Sequence, residues 1–268
     1  MSESNDWQIP GSSAEIYETV FVPAMMGEWV PRVMALSNLQ AGEHVLDVAC
    51  GTGVVTRNVA ISTGPKGRAV GLDHNPDMLD VARQITLNPS SAARVEWREG
   101  DAGAIPFENE TFDLVLCAFG LMFFPDRVAA LKEMWRILKS DGRLTLIVWG
   151  SISKCPGQTA MKESWGRHFS TDDAGLFDIQ HSLSSPETVL LLLKDAGLRD
   201  VSVQAAMGVV RLPSPEHLAR SYGSMRGIQA DEKTRTQVID EVSASLQAYV
   251  GADGLEYPIE AILASARK

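Results

Sequence analysis

At 268 residues, with 45% hydrophobic residues and a formal net charge of −10, the chain is long enough for one α/β domain with an ample core. That acidity disfavours nucleic acid or an anionic membrane surface as a partner, because like charges repel. The three cysteines, Cys50, Cys117 and Cys155, are an odd count without metal-ligand spacing, so they suit a reduced, cytoplasmic protein and point to no metal site.

The first seven residues are polar and acidic, unlike a signal peptide, and no apolar run approaches the ~20 residues that a membrane span needs. Ser12-Ser13-Ala14-Glu15 is a capping box that starts a helix with Ile16, Tyr17, Val20 and Phe21 on one side. Pro23 and Pro31 are expected to break the next stretch into short helical pieces ending near Asn38. From there apolar runs alternate with helical patterns, the signature of βαβ units and a parallel sheet. Strands are expected at 44–49, 69–73, 95–99, 112–118 and 143–149, with helices at 54–62, after the Asn75 cap, and at 125–138. The second half is less regular. Residues 151–181 read as loops and short helix, a helix opens at Ser185-Pro186, and 198–212 contains a sixth strand. A helical excursion, polar enough to be largely solvated, runs from Ser214-Pro215 to about Val250, and a last strand closes the chain from Tyr257.

The chain centres on Val45-Leu46-Asp47-Val48-Ala49-Cys50-Gly51-Thr52-Gly53: a buried strand, a small-residue turn, then a helix. Gly51 and Gly53 let a ligand lie against the main chain. A dinucleotide fingerprint needs a third glycine where Thr56 stands, and Asp47 would repel a pyrophosphate. The same carboxylate attracts an ammonium or sulfonium, so the pattern favours a cationic, amino-acid-like ligand joined to a nucleoside over a nicotinamide dinucleotide. Asp73 closes the next strand about 20 residues later, where an acid accepts ribose hydroxyls. Asn75 is the better cap for the following helix, which leaves Asp73 for that task.

Asp47-Val48-Ala49-Cys50-Gly51-Thr52-Gly53, Gly71-Leu72-Asp73-His74-Asn75-Pro76-Asp77-Met78 and Gly100-Asp101-Ala102 resemble the successive motifs of class I S-adenosylmethionine-dependent methyltransferases. Phe112-Asp113 through Phe119-Gly120-Leu121, with Leu138-Lys139-Ser140-Asp141-Gly142, is similar to the ubiquinone/menaquinone-biosynthesis C-methyltransferases. The resemblance covers 42–149; nothing matches between 151 and 197 or between 213 and 254. It implies a Rossmann-like α/β fold: a seven-stranded, mostly parallel sheet with an antiparallel edge strand, helices on both faces and helical lid insertions. One domain is expected, with a helical cap over 1–40, a cofactor-binding core over 41–150, lid and acceptor segments at 151–182 and 213–254, and a closing strand at 255–268.

The resemblance further implies S-adenosyl-L-methionine as cofactor and a small-molecule methyl acceptor. It places Asp47 and the backbone at Ala49, Gly51 and Gly53 at the methionine end, and Asp73 with the adjoining His74 at the ribose. Gly100, Asp101 and Ala102 fall at the adenine edge, Met78 on an adenine face, and Ala118 and Phe119 beside the reacting methyl. Tyr17 resembles a tyrosine lining that pocket, although a core tyrosine on an amphipathic stripe reads the same. Ala49 stands where a glycine is usual, which is tolerable if its φ is negative. Cys50 reads as a small buried filler. The loop 119–124 offers an apolar acceptor wall, with Phe124 expected to anchor the next helix, and Met161, Trp165, Phe169 and Phe177 extend the apolar theme. His168 and His181 are weak candidates for a general base, and methyl transfer to a ready nucleophile needs none. A protein that binds this cofactor without transferring methyl is the alternative, since cofactor motifs report binding and not turnover.

Overall fold

The computed structural model describes residues 9–88 and 90–268. The first seven residues, unlike a signal peptide in composition, lie outside them. One mixed sheet carries the molecule. Its strands are β1 (His44–Val48), β2 (Arg68–Asp73), β3 (Arg94–Glu99), β4 (Phe112–Ala118), β5 (Leu138–Trp149), β6 (Ser202–Leu212), β7 (Val250–Gly251) and β8 (Gly254–Arg267). They lie in the order β3-β2-β1-β4-β5-β8-β6, and β7 pairs with β8. Strands β1 to β5 are parallel, whereas β8 runs antiparallel to both β5 and β6. The eighth strand, beyond the seven expected, is the two-residue β7. It turns back onto β8 through the Ala252-Asp253 link, and Gly254 there has φ 109°.

Around the sheet lie α1 (Ser13–Ile16), α2 (Gly27–Ser37), α3 (Val54–Thr63), α4 (Pro76–Gln84), α5 (Arg127–Ile137), α6 (Pro156–His168), α7 (Thr171–Gln180), α8 (Pro186–Asp195), α9 (Pro215–Met225) and α10 (Glu232–Leu246). The central strands β1 and β4 are buried on both faces, with Leu46, Val48, Leu114, Val115 and Leu116 almost fully covered. That explains their continuous apolar character. Asn75 caps α4 through the Asp77 N–H, with Pro76 in the first turn.

Three expectations need correction. First, the prolines do not break the N-terminal helix. The capping box holds, with Ser12 Oγ and Glu15 taking each other's N–H groups, but α1 then passes into a π-helical stretch, Tyr17–Met26, that contains Pro23 and joins α2 directly. The wider π turn relieves the clash a proline ring makes with the preceding turn. Second, 151–181 is not mostly loop. It forms α6 and α7, because Pro156 and the Ser170 cap start helices whose Met161, Trp165 and Phe177 side chains are fully buried. Third, the excursion after Ser214 is not largely solvated. Helix α9 buries Leu218, Ala219 and Tyr222, and α10 buries Val238, Val242 and Leu246. These insertions pack on one another, α10 against both α6 and α9, while α1 touches α9 and α4. The Ser13 hydroxyl donates to the Met225 carbonyl, tying the N-terminal helix to the second insertion.

Candidate functional site

At the carboxyl ends of the parallel strands the chain must turn sharply out of the sheet. Ala49, just past β1, has φ 56°, and Phe119, just past β4, has φ 57°, both in the left-handed region that side chains disfavour. The condition of a negative φ at Ala49 is therefore not met. The strain is held by the sheet: the Phe119 N–H donates to Ile147 and the Cys50 N–H donates to Leu72. Gly120 explains how the Ala49 methyl fits, because a Cβ on Gly120 would sit 2.5 Å from the Ala49 Cβ. One small side chain occupies the space shared by two strand ends. Backbone strain of this kind concentrates at functional sites, and both strained residues line the same cleft.

That cleft encloses about 470 Å³ above the ends of β1, β2 and β4. The structure brings Tyr17, Ala49, Gly51, Asp73, His74, Met78, Gly100, Asp101, Ala102, Ala118 and Phe119 onto its walls. Asp47 and Gly53, two other expected site residues, are not among its lining residues. Gly53 has a packing role: a Cβ there would lie 2.2 Å from the Trp97 ring, and Gly71 meets the same ring. Nothing in the sequence signals that two distant glycines share the indole of Trp97 on β3. Leu72, Asn75, Phe123 and Pro125 also line the cleft. Leu72 and Asn75 flank Asp73, so adjacency was the available signal. Phe124 lines it too, beyond the anchoring role expected of it.

Asp73 is the hub. Its Oδ2 accepts the Gly51 N–H at 2.8 Å and its Oδ1 accepts the Asn75 N–H at 2.9 Å, so one carboxylate joins the glycine turn to the start of α4. It is 7% exposed and its carboxylate retains lone pairs for a ligand. His74 stands beside it with an exposed ring. Asp47 is 2% exposed beneath the turn; Thr56 donates to its Oδ2 at 2.6 Å, and Oδ1 has no partner among the described residues. Burial, partly offset by the Thr56 hydrogen bonds and reinforced by the Asp73 charge, raises the Asp47 carboxyl to about 7. A buried, under-satisfied carboxylate behind a cleft that holds a second one favours a cation there. The Tyr17 ring faces this turn, 3.6 Å from where a Gly51 Cβ would be, and burial followed by the nearby Glu18, Asp73 and Asp47 charges pushes its hydroxyl up. Asp101 holds its own turn by accepting the Gly103 N–H and keeps an exposed side chain at the cleft rim. Cys50 is buried with its thiol pushed up, first by burial and then by Asp47 and Asp73, which makes it a filler and not a nucleophile.

The two histidine candidates stand away from the cleft lining. His168 Nε2 pairs with Glu241 at 2.9 Å, in a cluster where Ser164 and Arg167 also reach that carboxylate and clasp α6 to α10. Burial would raise Glu241, but Arg167, His168 and Ser164 outweigh it and hold it at about 2. His181 is buried, its Nδ1 2.8 Å from the Gly150 carbonyl oxygen, and burial lowers its pKa despite that contact. Phe177, Trp165 and Met161, whose apolar character suggests an apolar acceptor, form the interior of the insertion, with Phe169 edge-on to Trp165. No group of three or more histidine, cysteine or acidic side chains suited to a metal occurs among the described residues.

The profile of the ubiE/COQ5 methyltransferase family matches residues 19–172. The demethylmenaquinone methyltransferase of Lactiplantibacillus plantarum is 38% identical over 141 residues, which is 53% of this chain and 58% of that one. That of Lactobacillus johnsonii is 33% identical over 141 residues, covering 53% and 56%. The chain thus spans just over half the length of these curated relatives. Among solved structures, the YcgJ protein of Bacillus subtilis superposes with a TM-score of 0.62 at 17% identity, covering 90% of this chain and 98% of that one. This last likeness concerns the fold alone.

Proposed function

Since this chain belongs to the ubiE/COQ5 methyltransferase family, we propose that it transfers a methyl group from S-adenosylmethionine to a small molecule bearing a quinone-related ring. The carrying observation is Asp73: a nearly buried carboxylate on the wall of a 470 Å³ cleft, tied to the Gly51 turn and backed by a second carboxylate, Asp47. The residues present fit the cofactor. Asp73 accepts the ribose hydroxyls, while the backbone at Ala49 and Gly51 holds the amino-acid end, with Asp47 behind it as a carboxyl that a bound cation would help to ionise. Asp101 and the Ala102 N–H address the adenine edge, Met78 covers one adenine face, and Tyr17 closes the turn. When bound, the sulfonium would supply an electrophilic methyl whose C–S electron pair stays on sulfur, with the acceptor atom giving up a proton in exchange. This chain's part is to align the two reactants and exclude water. No side chain is assigned as base.

The ring class of the acceptor is carried over from relatives that act on demethylmenaquinone by name, and the apolar Phe119, Phe123 and Phe124 at the cleft support it. Helices α6, α7, α9 and α10 with the N-terminal helix form the lid over the acceptor, and amide exchange there slows when cofactor and acceptor bind. No helix among the described residues is long and apolar enough to cross a membrane. The buried free thiols Cys50, Cys117 and Cys155 support a reducing, cytoplasmic setting. Calorimetry with S-adenosylmethionine and S-adenosylhomocysteine, followed by labelled-methyl transfer to reduced quinones, tests the proposal. Folded protein that gives no binding heat with either compound refutes it. Binding of both without transfer to any reduced quinone would favour a cofactor-binding protein that is not a methyltransferase, for which no observation speaks at present.

A further inference from the structure

The sheet ends in two edge strands, and the chain treats them differently. At β6 the outward backbone is covered. Glu28 Oε2 accepts the Val209 N–H at 2.8 Å, and Arg32 Nη1 donates to the Met207 carbonyl at 2.8 Å. These two side chains stand one turn apart on α2 and pair with each other, so a charged bracket closes that edge to any further strand. Strand β3 has no such bracket among the described residues, and it pairs with β2 alone. The Gly100 N–H, just past β3, donates to the Asp73 carbonyl on β2. Successive strand residues aim their N–H and C=O groups to alternate sides, so the even-numbered residues of β3 face β2 and Val95, Trp97 and Glu99 face outward. Those outward groups have no partner among the described residues. An open strand edge of this kind is a template for pairing with another strand.

Charge on an edge strand usually repels such pairing. Here its order does the opposite, because Arg94-Val95-Glu96-Trp97-Arg98-Glu99 carries both signs on one face. We propose that β3 is a homodimer interface, in which two copies pair edge to edge, antiparallel about Trp97, into one continuous sheet. Antiparallel pairing about a twofold axis sets residues on the same sheet face opposite one another. With the axis at Trp97, Glu96 meets the partner's Arg98 and Arg98 meets the partner's Glu96. Val95, Trp97 and Glu99 then exchange their open N–H and C=O groups with the partner's Glu99, the partner's Trp97 and the partner's Val95. An axis at Glu96 or at Arg98 would instead set two like charges against each other. The Arg98 side chain is 57% exposed and reaches only Glu96 in its own chain, so it can turn to the partner. Glu99 has no ion-pair partner among the described residues, and nor does Arg94. In this register the partner's Glu99 falls opposite Val95, which lines a cavity of about 440 Å³ together with Arg83 and Arg94. The joint also buttresses the cleft, since the Trp97 ring packs under Gly53 and Gly71. The inference does not depend on the methyltransferase reading.

A single strand pair is small beside the roughly 800 Å² per partner of a stable interface, so the dimer is expected to be weak and concentration-dependent. Sedimentation velocity of the full chain, from micromolar to submillimolar concentration, should follow the passage from monomer to dimer. Arg98→Glu should weaken association at least about tenfold, because it turns two symmetry-related contacts from attraction to repulsion. Glu96→Lys should do the same. Mixing the two variants should restore association to within about threefold of wild type, since each chain then supplies the charge the other lacks. Should Glu96→Lys fail to fold beside Arg68, Glu99→Pro carries the test, because it removes one outward N–H and none that faces β2. It should abolish the dimer while circular dichroism stays that of the wild type. The inference is overturned if the wild type remains a monomer throughout, or if the dimer survives Arg98→Glu or Glu99→Pro. Two folded charge variants that stay monomeric when mixed overturn it as well.

Discussion

Asp73→Ala separates two tasks that the structure assigns to one carboxylate. In the folded chain Asp73 accepts the N–H groups of Gly51 and Asn75 at 2.8 and 2.9 Å. Hydrogen bonds to a charged acceptor contribute about 1.5–3 kcal/mol each when buried. Both N–H groups are only partly buried, so water replaces some of what is lost. Removing Asp73 also takes a like charge away from Asp47. The net cost to the apo protein is therefore placed near the low end, about 2 kcal/mol, which lowers Tm by roughly 4–8 °C in a chain of this size. Loss of the ribose acceptor adds about 1–3 kcal/mol to cofactor binding, a drop of roughly 5- to 150-fold in affinity. Thermal melts without ligand read the first effect and calorimetry with S-adenosylhomocysteine the second, below the melting range of the variant. An apo Tm within about 1 °C of wild type would show that Asp73 does not hold the glycine turn. An unchanged affinity would show that it does not touch the cofactor.

Asp47→Asn should reveal the cost of a buried charge. The folded-state pKa is raised, from 3.8 to about 7, so the native form holds a proton the unfolded chain has lost, and wild-type stability from this group declines as pH rises between those values and is gone above about 7. The stability of the Asn variant relative to wild type should climb across that window by on the order of 1–4 kcal/mol and then level, as urea melts at several pH values will show; a flat difference refutes it. Ala49→Gly relieves a φ of 56° but adds unfolded-state entropy, and the two effects, about 1–2 and about 0.5–1 kcal/mol, leave a gain of about 0.5–1 kcal/mol. A lowered Tm would mean that the methyl packing against Gly120 outweighs the strain. His168→Gln breaks the clasp to Glu241 and should lower Tm by a few degrees at most. Methyl-transfer kcat should be left within about twofold, the margin for a residue remote from the reacting atoms. A kcat loss of an order of magnitude at unchanged Tm would restore His168 as a catalytic candidate.

Local chemistry made much of this protein legible from its residues in order. The capping box at Ser12, the Asn75-Pro76 helix start, the apolar strands and the acids at their ends are all short-range patterns, and each recurs in the fold as read. Whatever depends on two distant segments meeting was decided only by tertiary structure. Gly53 and Gly71 pack on Trp97 because β1, β2 and β3 are neighbours, a fact no spacing encodes. Ala49 takes a left-handed φ because the sheet holds the chain on either side of it, overriding the preference of its side chain. Pro23 sits inside a continuous helix that its residue type argues against, because the wider π turn there takes up its ring while α1 and α2 continue on either side. The aromatics of the insertions suggest an apolar acceptor by residue type alone, for the same reason. Sequence shows that a side chain is apolar, and only the fold decides whether it faces a ligand or its neighbours.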